Sequence, residues 1–298
     1  MTSSFSGTAE AEAYLRESRR WGRWGPSDER GAANLITPAK RAAAAALVRS
    51  GRAVSLARPF DPAGGRDTLA VSTFERGGGG GCVDELALHC HGPGATHLDA
   101  LCHVWGADGM WNGRDPAAEI DATGVRHGTL GAWRDGLLTR GVLLDLPRLR
   151  GEPYVTQDRP VHGAELTAAA AAQGVRVEPG DALLIHSGRE EYERQVGVWS
   201  ADPSVRPGLE SSCLRYFHDT DCAALLWDMG DVRPNEHGLP FPVHAAVFAY
   251  GMAVVDAALL EPLARACQEE GRWDFLLTMN PLDIVGATGC LVNPVAVF

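Results

Sequence analysis

Five short apolar runs limit what this chain can fold into. GVLLDL (141–146), DALLIHS (181–187), CAALLWDM (222–229), MAVVDAAL (252–259) and DFLLTMN (274–280) alternate with helical patterns. Continuous apolar runs of this length suit strands buried on both faces, as in an α/β domain. Helices fit near 163–173, where Gly174 ends the pattern, and near 207–218, 243–250 and 260–269. Upstream, AVSLARPF (53–60) and VDELALHC (83–90) read as strands, the second preceded by a flexible loop at Gly77–Gly81. A helix over 38–50 is capped by Thr37, carries Pro38 in its first turn and ends at Gly51. No internal repeat or long polar linker divides the pattern, so residues 23–298 read as one domain. Residues 1–22, with a polar helix at 9–20 and Thr8 as its cap, lie outside the apolar pattern and read as a projecting arm.

The length of 298 residues and a hydrophobic share of 45% allow a substantial core without disulfide or metal staples. A net charge of -11 excludes a nucleic-acid backbone as partner, because that contact requires a basic stripe. No apolar run approaches the roughly 20 residues that a membrane span needs. The N-terminal segment lacks the apolar centre of a secretory signal. The 7 cysteines are odd in number, scattered and without a CxxC pair, which argues against a disulfide framework or structural zinc. A reduced, cytoplasmic protein acting on a small molecule is expected.

The chemistry concentrates in HCHGPGATHLDALCH (89–103). His97 and Asp99 are two apart, so on an extended segment both side chains leave one face. His103 lies four beyond Asp99 and returns to that side if the chain coils. His91, before the Gly92–Pro93–Gly94 bend, can swing in beside them. Imidazoles with a carboxylate suit zinc or manganese, and a histidine not used as ligand can move a proton. The same residues also suit an ordinary hydrogen-bonded turn, since aspartate near glycine and proline is common there. Cys90 and Cys102 read as small fillers, His89 as structural and His186 as a satisfied core histidine. Asp228, Asp231 and His237 suit a turn-rich loop near the site and a catalytic role equally well.

THLDALCH (96–103) resembles the signature of the cyclase, or kynurenine-formamidase-like, superfamily of metal-dependent hydrolases. That motif reads His-x-Gly-Thr-His-x-Asp-x-Pro-x-His. Thr96, His97, Asp99 and His103 match it; Pro93 replaces the first histidine, Ala95 the glycine and Leu101 the proline. The family also has a later histidine with an acidic residue twelve positions on, and His244 and Asp256 have that separation. RWGPSDERGAANLITPAKR (23–41) and GRAVSLARP (51–59) resemble the opening of the longer bacterial members. The resemblance thus covers most of the chain from about residue 20 onward.

The resemblance implies a swivelling β/β/α fold, an α/β domain with a curved β core and outer helices. It implies metal-dependent hydrolysis of an amide, formamide, lactam or lactone in a small organic substrate. His97, Asp99 and His244 would hold the metal, with His91 and Asp256 as further ligands and His103 as the acid–base catalyst. Because Pro93 has no donor atom, one zinc or manganese ion per chain is expected. Trp105, Trp111 and Phe241, with Trp199, can wall a pocket for a flat substrate. Two alternatives remain: a cyclase or dehydratase acting on a polyketide-like chain, and a catalytically silent binding protein. A homodimer or higher homo-oligomer is expected, since family members usually pair and the arm with Trp21 and Trp24 has no evident partner within the chain.

Overall fold

The apolar runs form the centre of a sheet, as their continuity requires. The computed structural model describes residues 5–61 and 67–298. Its strands are β1 (Ala53–Ser55), β2 (Thr68–Arg76), β3 (Gly79–Ala87), β4 (His97–Asp99), β5 (Ile120–Asp121), β6 (Gly124–Val125), β7 (Leu137–Asp145), β8 (Ala182–His186), β9 (Ala224–Trp227), β10 (Ala253–Asp256), β11 (Asp274–Met279), β12 (Gly289–Leu291) and β13 (Val295–Val297). Nine of them make one strongly curled sheet in the order β1-β13-β11-β7-β8-β9-β10-β4-β12. The middle four, β7 to β10, run parallel, and the flanking pairs are antiparallel. Leu183, Leu225 and Val254 are register partners across three strands, and all are fully buried. Helices Gly163–Gln173, Cys213–Thr220 and Glu261–Glu270 present apolar residues to this core. The expected α/β fold with a curved core is therefore present.

Local details differ where tertiary contacts override sequence pattern. The helix α1 (Thr8–Ser18) is capped by Gly7 rather than Thr8, whose hydroxyl donates to the His237 carbonyl at 2.7 Å. Nor does the N-terminal segment project. Ala11 is buried, the Ser18 hydroxyl meets the Tyr250 hydroxyl at 3.0 Å, and the Trp21 indole donates to the Phe248 carbonyl at 2.6 Å. The helix α2 (Pro38–Ala45) starts at Thr37 as expected, with the Lys40 amide donating to its hydroxyl, but stops well before Gly51. The expected loop Gly77–Gly81 tightens to a turn at Gly77–Gly78, and Gly79–Gly81 join β3. The pair β2–β3 forms a hairpin in which nearly every residue is exposed.

Two loops near the carboxyl ends of the parallel strands touch backbone to backbone. The Leu209 amide donates to the Gly230 carbonyl at 2.9 Å, and Arg206 and Arg233 exchange both backbone hydrogen bonds. A Cβ added at Gly208 would lie 2.1 Å from the Gly230 oxygen, so only glycine permits this approach. Gly208→Ala should therefore cost about 1–3 kcal/mol, as overpacking against unyielding backbone does. Urea unfolding should show the loss as a lower midpoint with an unchanged slope; an unchanged midpoint would contradict the close approach.

Candidate functional site

Strand register builds the site. β4 lies between β10 and β12, so its backbone is paired on both sides. His97 and Asp99 leave one face of it, and Asp256 stands directly across from His97 on β10. His244 arrives at the start of the helix Ala245–Tyr250, and His103 follows the turn after β4.

Asp99 is the centre of the arrangement. Its Oδ1 lies 2.8 Å from His91 Nδ1, 3.6 Å from His97 Nε2 and 3.7 Å from His103 Nε2. Its Oδ2 lies 3.9 Å from His244 Nε2, is buried and has no hydrogen-bond partner. Asp256 Oδ2 lies 3.2 Å from His244 Nε2 and 3.8 Å from His97 Nε2. The rings of His91 and His103 stack with centroids 3.7 Å apart.

Each inner imidazole is held from behind. His97 Nδ1 bonds the Ala95 carbonyl at 2.8 Å, which leaves Nε2 facing the carboxylates. His244 Nδ1 bonds Asp231 Oδ2 at 2.6 Å, and Asp231 Oδ1 also accepts the Val243 amide at 2.8 Å. The Trp227 indole donates to Asp256 Oδ1. Histidine ligands characteristically have such a carboxylate or carbonyl behind them.

Charge tells the same story. Burial opposes charge on His244, but Asp256 and Asp231 outweigh it and raise its pKa well above the ordinary value. Burial pulls the His103 imidazole down to about 4, against the opposing pull of Asp99. Among the described residues, no lysine or arginine forms an ion pair with Asp99, Asp231 or Asp256. Two donor groups share Asp99: His91, His97 and Asp99, and Asp99, His244 and Asp256, each with ligand atoms within 4.8 Å of one another. Buried carboxylates are tolerated when paired or when they coordinate a cation. The donor set therefore fits a metal ion.

A cavity of about 270 Å³ opens on this cluster, lined by His91, His97, His103, His244 and Asp256 together with Trp199, Arg206, Arg233 and Phe241. Comparison with known proteins gives the family. The family model described as "Putative cyclase" matches residues 29–233. The chain belongs to the cyclase family. A crystal structure of a novel cyclase is 29% identical over 95% of this chain and 99% of its own, with a TM-score of 0.83. Isatin hydrolase A from Labrenzia aggregata is 15% identical over 82% of this chain and 93% of its own, at a TM-score of 0.60. A predicted metal-dependent hydrolase from Bacillus stearothermophilus is 14% identical, covering 83% of this chain and 98% of its own, at 0.50. The last two likenesses show the fold alone. No curated protein sequence matches the chain. Among the described residues, no helix of this cyclase-family protein is long and apolar enough to cross a membrane.

The structure thus brings together His91, His97, Asp99, His103, His244 and Asp256. The aromatic residues divide. Phe241 and Trp199 line the cavity, but Trp111 is buried in the core with its indole donating to the Asp28 carbonyl at 3.1 Å. Trp105 is 42% exposed and lines a neighbouring groove instead. Trp111 fails as a wall because a large apolar side chain next to the core finds more burial inside it. His89 stays outside, its amide donating to Asp67. Cys102 is buried and Cys90 half-buried.

Three supports surround the donors, and of their residues only Thr96 belongs to the sequence motif. The Thr96 hydroxyl donates to the Ala257 carbonyl at 2.7 Å and accepts the Arg58 amide at 2.9 Å. Ala257 has φ 53, a conformation that L residues adopt at a cost, so Thr96 and Arg58 clamp the residue beside Asp256. Asp231 orients His244. Gly289, opposite Asp99 on β12, leaves room for the His91 ring: a Cβ there would lie 2.5 Å from His91 Cε1. Gly289→Ala should displace His91 and break its bond to Asp99 while leaving His244 on Asp231. Imidazole nitrogen NMR should then show His91 shifted and His244 unchanged; an unmoved His91 signal would refute the packing argument.

Proposed function

We propose that this protein is a metal-dependent hydrolase that opens an amide, formamide, lactam or lactone bond in a small organic substrate. The observation that carries the proposal is the buried Asp99 carboxylate, with an unpartnered oxygen, ringed by His91, His97, His103 and His244. His97, Asp99, His244, His91 and Asp256 would hold zinc or manganese. When bound, such an ion polarises a carbonyl and makes water more acidic. The sharing of Asp99 by both donor groups supports two cation positions rather than the single ion expected from Pro93. His91 supplies a nitrogen where the motif position has none.

His103 stands next to the donor cluster without belonging to either donor group, and it faces the cavity. Burial keeps its imidazole neutral near pH 7, so it can take a proton and return it to a leaving nitrogen or oxygen. Asp231 and the Ala95 carbonyl keep His244 and His97 from rotating. Phe241 and Trp199 exclude water from the apolar side of a bound substrate. A solved hydrolase named for isatin, a small molecule, shares the fold and supports this substrate class. The family's description as cyclases favours a second reading, in which His103 takes a proton from carbon beside the carbonyl and no water is consumed. Product mass separates the two, since only hydrolysis adds one water.

Self-association has a candidate surface other than the N-terminal segment. In the hairpin β2–β3, Leu69, Val71 and Leu86 share one face, and Val71 and Leu86 are each 59% exposed. A lone two-stranded sheet is marginal in water, so we propose that this face pairs with its copy on a second chain about a two-fold axis.

Three measurements test these assignments. Elemental analysis of protein purified without chelator should give two divalent ions per chain, and His91→Ala should lose one; no metal at all would refute the hydrolase reading. His103→Ala should keep its metal but lose about 10² to 10⁴ in turnover on a substrate found by screening. Metal loss in that variant would instead make His103 a ligand. Light scattering should find a dimer that Val71→Lys weakens, whereas a monomeric wild type would exclude the pairing.

A further inference from the structure

The cavity has a second charged wall that the metal donors do not explain. Arg206 and Arg233 face each other across an antiparallel bridge, exchanging backbone bonds of 2.9 and 3.0 Å. Residues opposed in this way send their side chains to the same side, where like charges are destabilising. Both line the cavity that holds His97, His103, His244 and Asp256. Neither forms an ion pair among the described residues, although Asp231 and Asp256 lie near enough to influence Arg206. Arg233 is partly used, since its Nη1 donates to the Pro203 carbonyl at 3.3 Å. The Arg206 guanidinium makes no hydrogen bond within the described chain, and its Nε is buried without a partner.

Arg206 is nonetheless held in place. Its guanidinium carbon lies 4.9 Å from the centre of the Trp199 ring, and the Trp199 indole is fixed by the Pro207 carbonyl at 2.9 Å. Arg189 lies at the same distance from that ring, but its needs are met by Glu193 and the Pro93 carbonyl. Burial, then the charge of Arg233, pulls the Arg206 pKa below its ordinary value. A cation on a rigid aromatic platform, aimed into a cavity and lacking its counter-charge, is arranged to receive an anion.

We infer that Arg206, with Arg233 beside it, is the specificity determinant for a substrate carboxylate held apart from the bond that reacts. A carboxylate suits this wall better than a phosphate. One free planar fork matches two carboxylate oxygens, and Phe241 on the cavity wall favours an apolar body between the two ends. The substrate class narrows to aromatic or similarly apolar acids bearing an amide, lactam or ester carbonyl. This inference rests on the hydrolase reading only for the identity of the reacting group.

Isothermal calorimetry with phenylacetate, phenylacetamide and phenyl phosphate tests it, using protein with its metal and protein treated with chelator. Phenylacetate should bind both forms and lose about tenfold or more in affinity in Arg206→Gln, with partial recovery in Arg206→Lys. Phenylacetamide affinity should be indifferent to these changes. Arg206→Met, whose chain still covers Trp199, serves if thermal unfolding shows Arg206→Gln to be misfolded. Phenylacetate binding that vanishes on chelation and is unchanged in Arg206→Gln would place the carboxylate on the metal and overturn the inference. Tighter binding of phenyl phosphate than phenylacetate would overturn the carboxylate assignment. If the protein holds no metal but Arg206→Gln still weakens phenylacetate, the hydrolase reading falls and this one stands.

Discussion

Everything in this site depends on one buried carboxylate. Asp99 lies on a three-residue strand held on both sides by backbone pairing, is fully buried, and leaves one oxygen without a partner. An unpaired carboxylate in such a place costs several kcal/mol, so the surroundings must supply positive charge or lose the fold. The surroundings supply imidazoles, each with a nitrogen turned toward Asp99. The secondary supports follow from that demand: Asp231 behind His244, the Ala95 carbonyl behind His97, Thr288 behind His91 at 2.9 Å. Each fixes the back of a ring so that its front can face the carboxylate.

The parallel core was legible in the sequence because its physics is local. A strand buried on both faces must be continuously apolar, and β8, β9 and β10 each fall within a run selected on that criterion. The strand β7 begins four residues before its run, while β11, antiparallel and buried at alternate residues, falls within the fifth. The helix at Pro38 was legible from its cap for the same reason. What escaped were elements whose form is decided by partners. The segment β2 alternates polar and apolar residues without an interior to face, and β12 and β13 are three residues each, below any periodic signal. The N-terminal helix is polar by composition, yet Ala11, Ser18 and Trp21 find sites on the body that no pattern in their own segment announces.

The site was legible in its donors and not in its supports. His97, Asp99 and His103 carry a spacing that geometry can interpret, and His244 with Asp256 has a separation that family resemblance makes informative. Whether His91 could reach the cluster turned on a glycine almost two hundred residues away, Gly289, which offers space rather than a functional group. Trp111 is ambiguous in the sequence, because an aromatic side chain near a motif fits a core and a pocket wall equally well, and burial decides for the core. Arg206 and Arg233 carry no sequence signal, because single arginines in loops are ordinary. Only their pairing across a backbone bridge makes them unusual.

That pairing also explains how the cavity is polarised. Asp99, Asp231 and Asp256 gather negative charge where the histidines converge, while Arg206 and Arg233 gather positive charge on a wall of the same space. The two sets form no ion pair with each other among the described residues, although Asp231 and Asp256 lie near enough to influence Arg206. Instead Arg206 is turned onto Trp199, and Asp231 is committed to two amides and the His244 ring. The separation keeps the carboxylates available to a cation and the guanidinium available to an anion. Gly208 makes it possible, because the bare backbone contact with Gly230 sets the loop carrying Arg206 against the loop carrying Asp231 and Arg233. The strain of like charges across that bridge is therefore tied to the same contact that shapes the cavity, and a bound carboxylate relieves it.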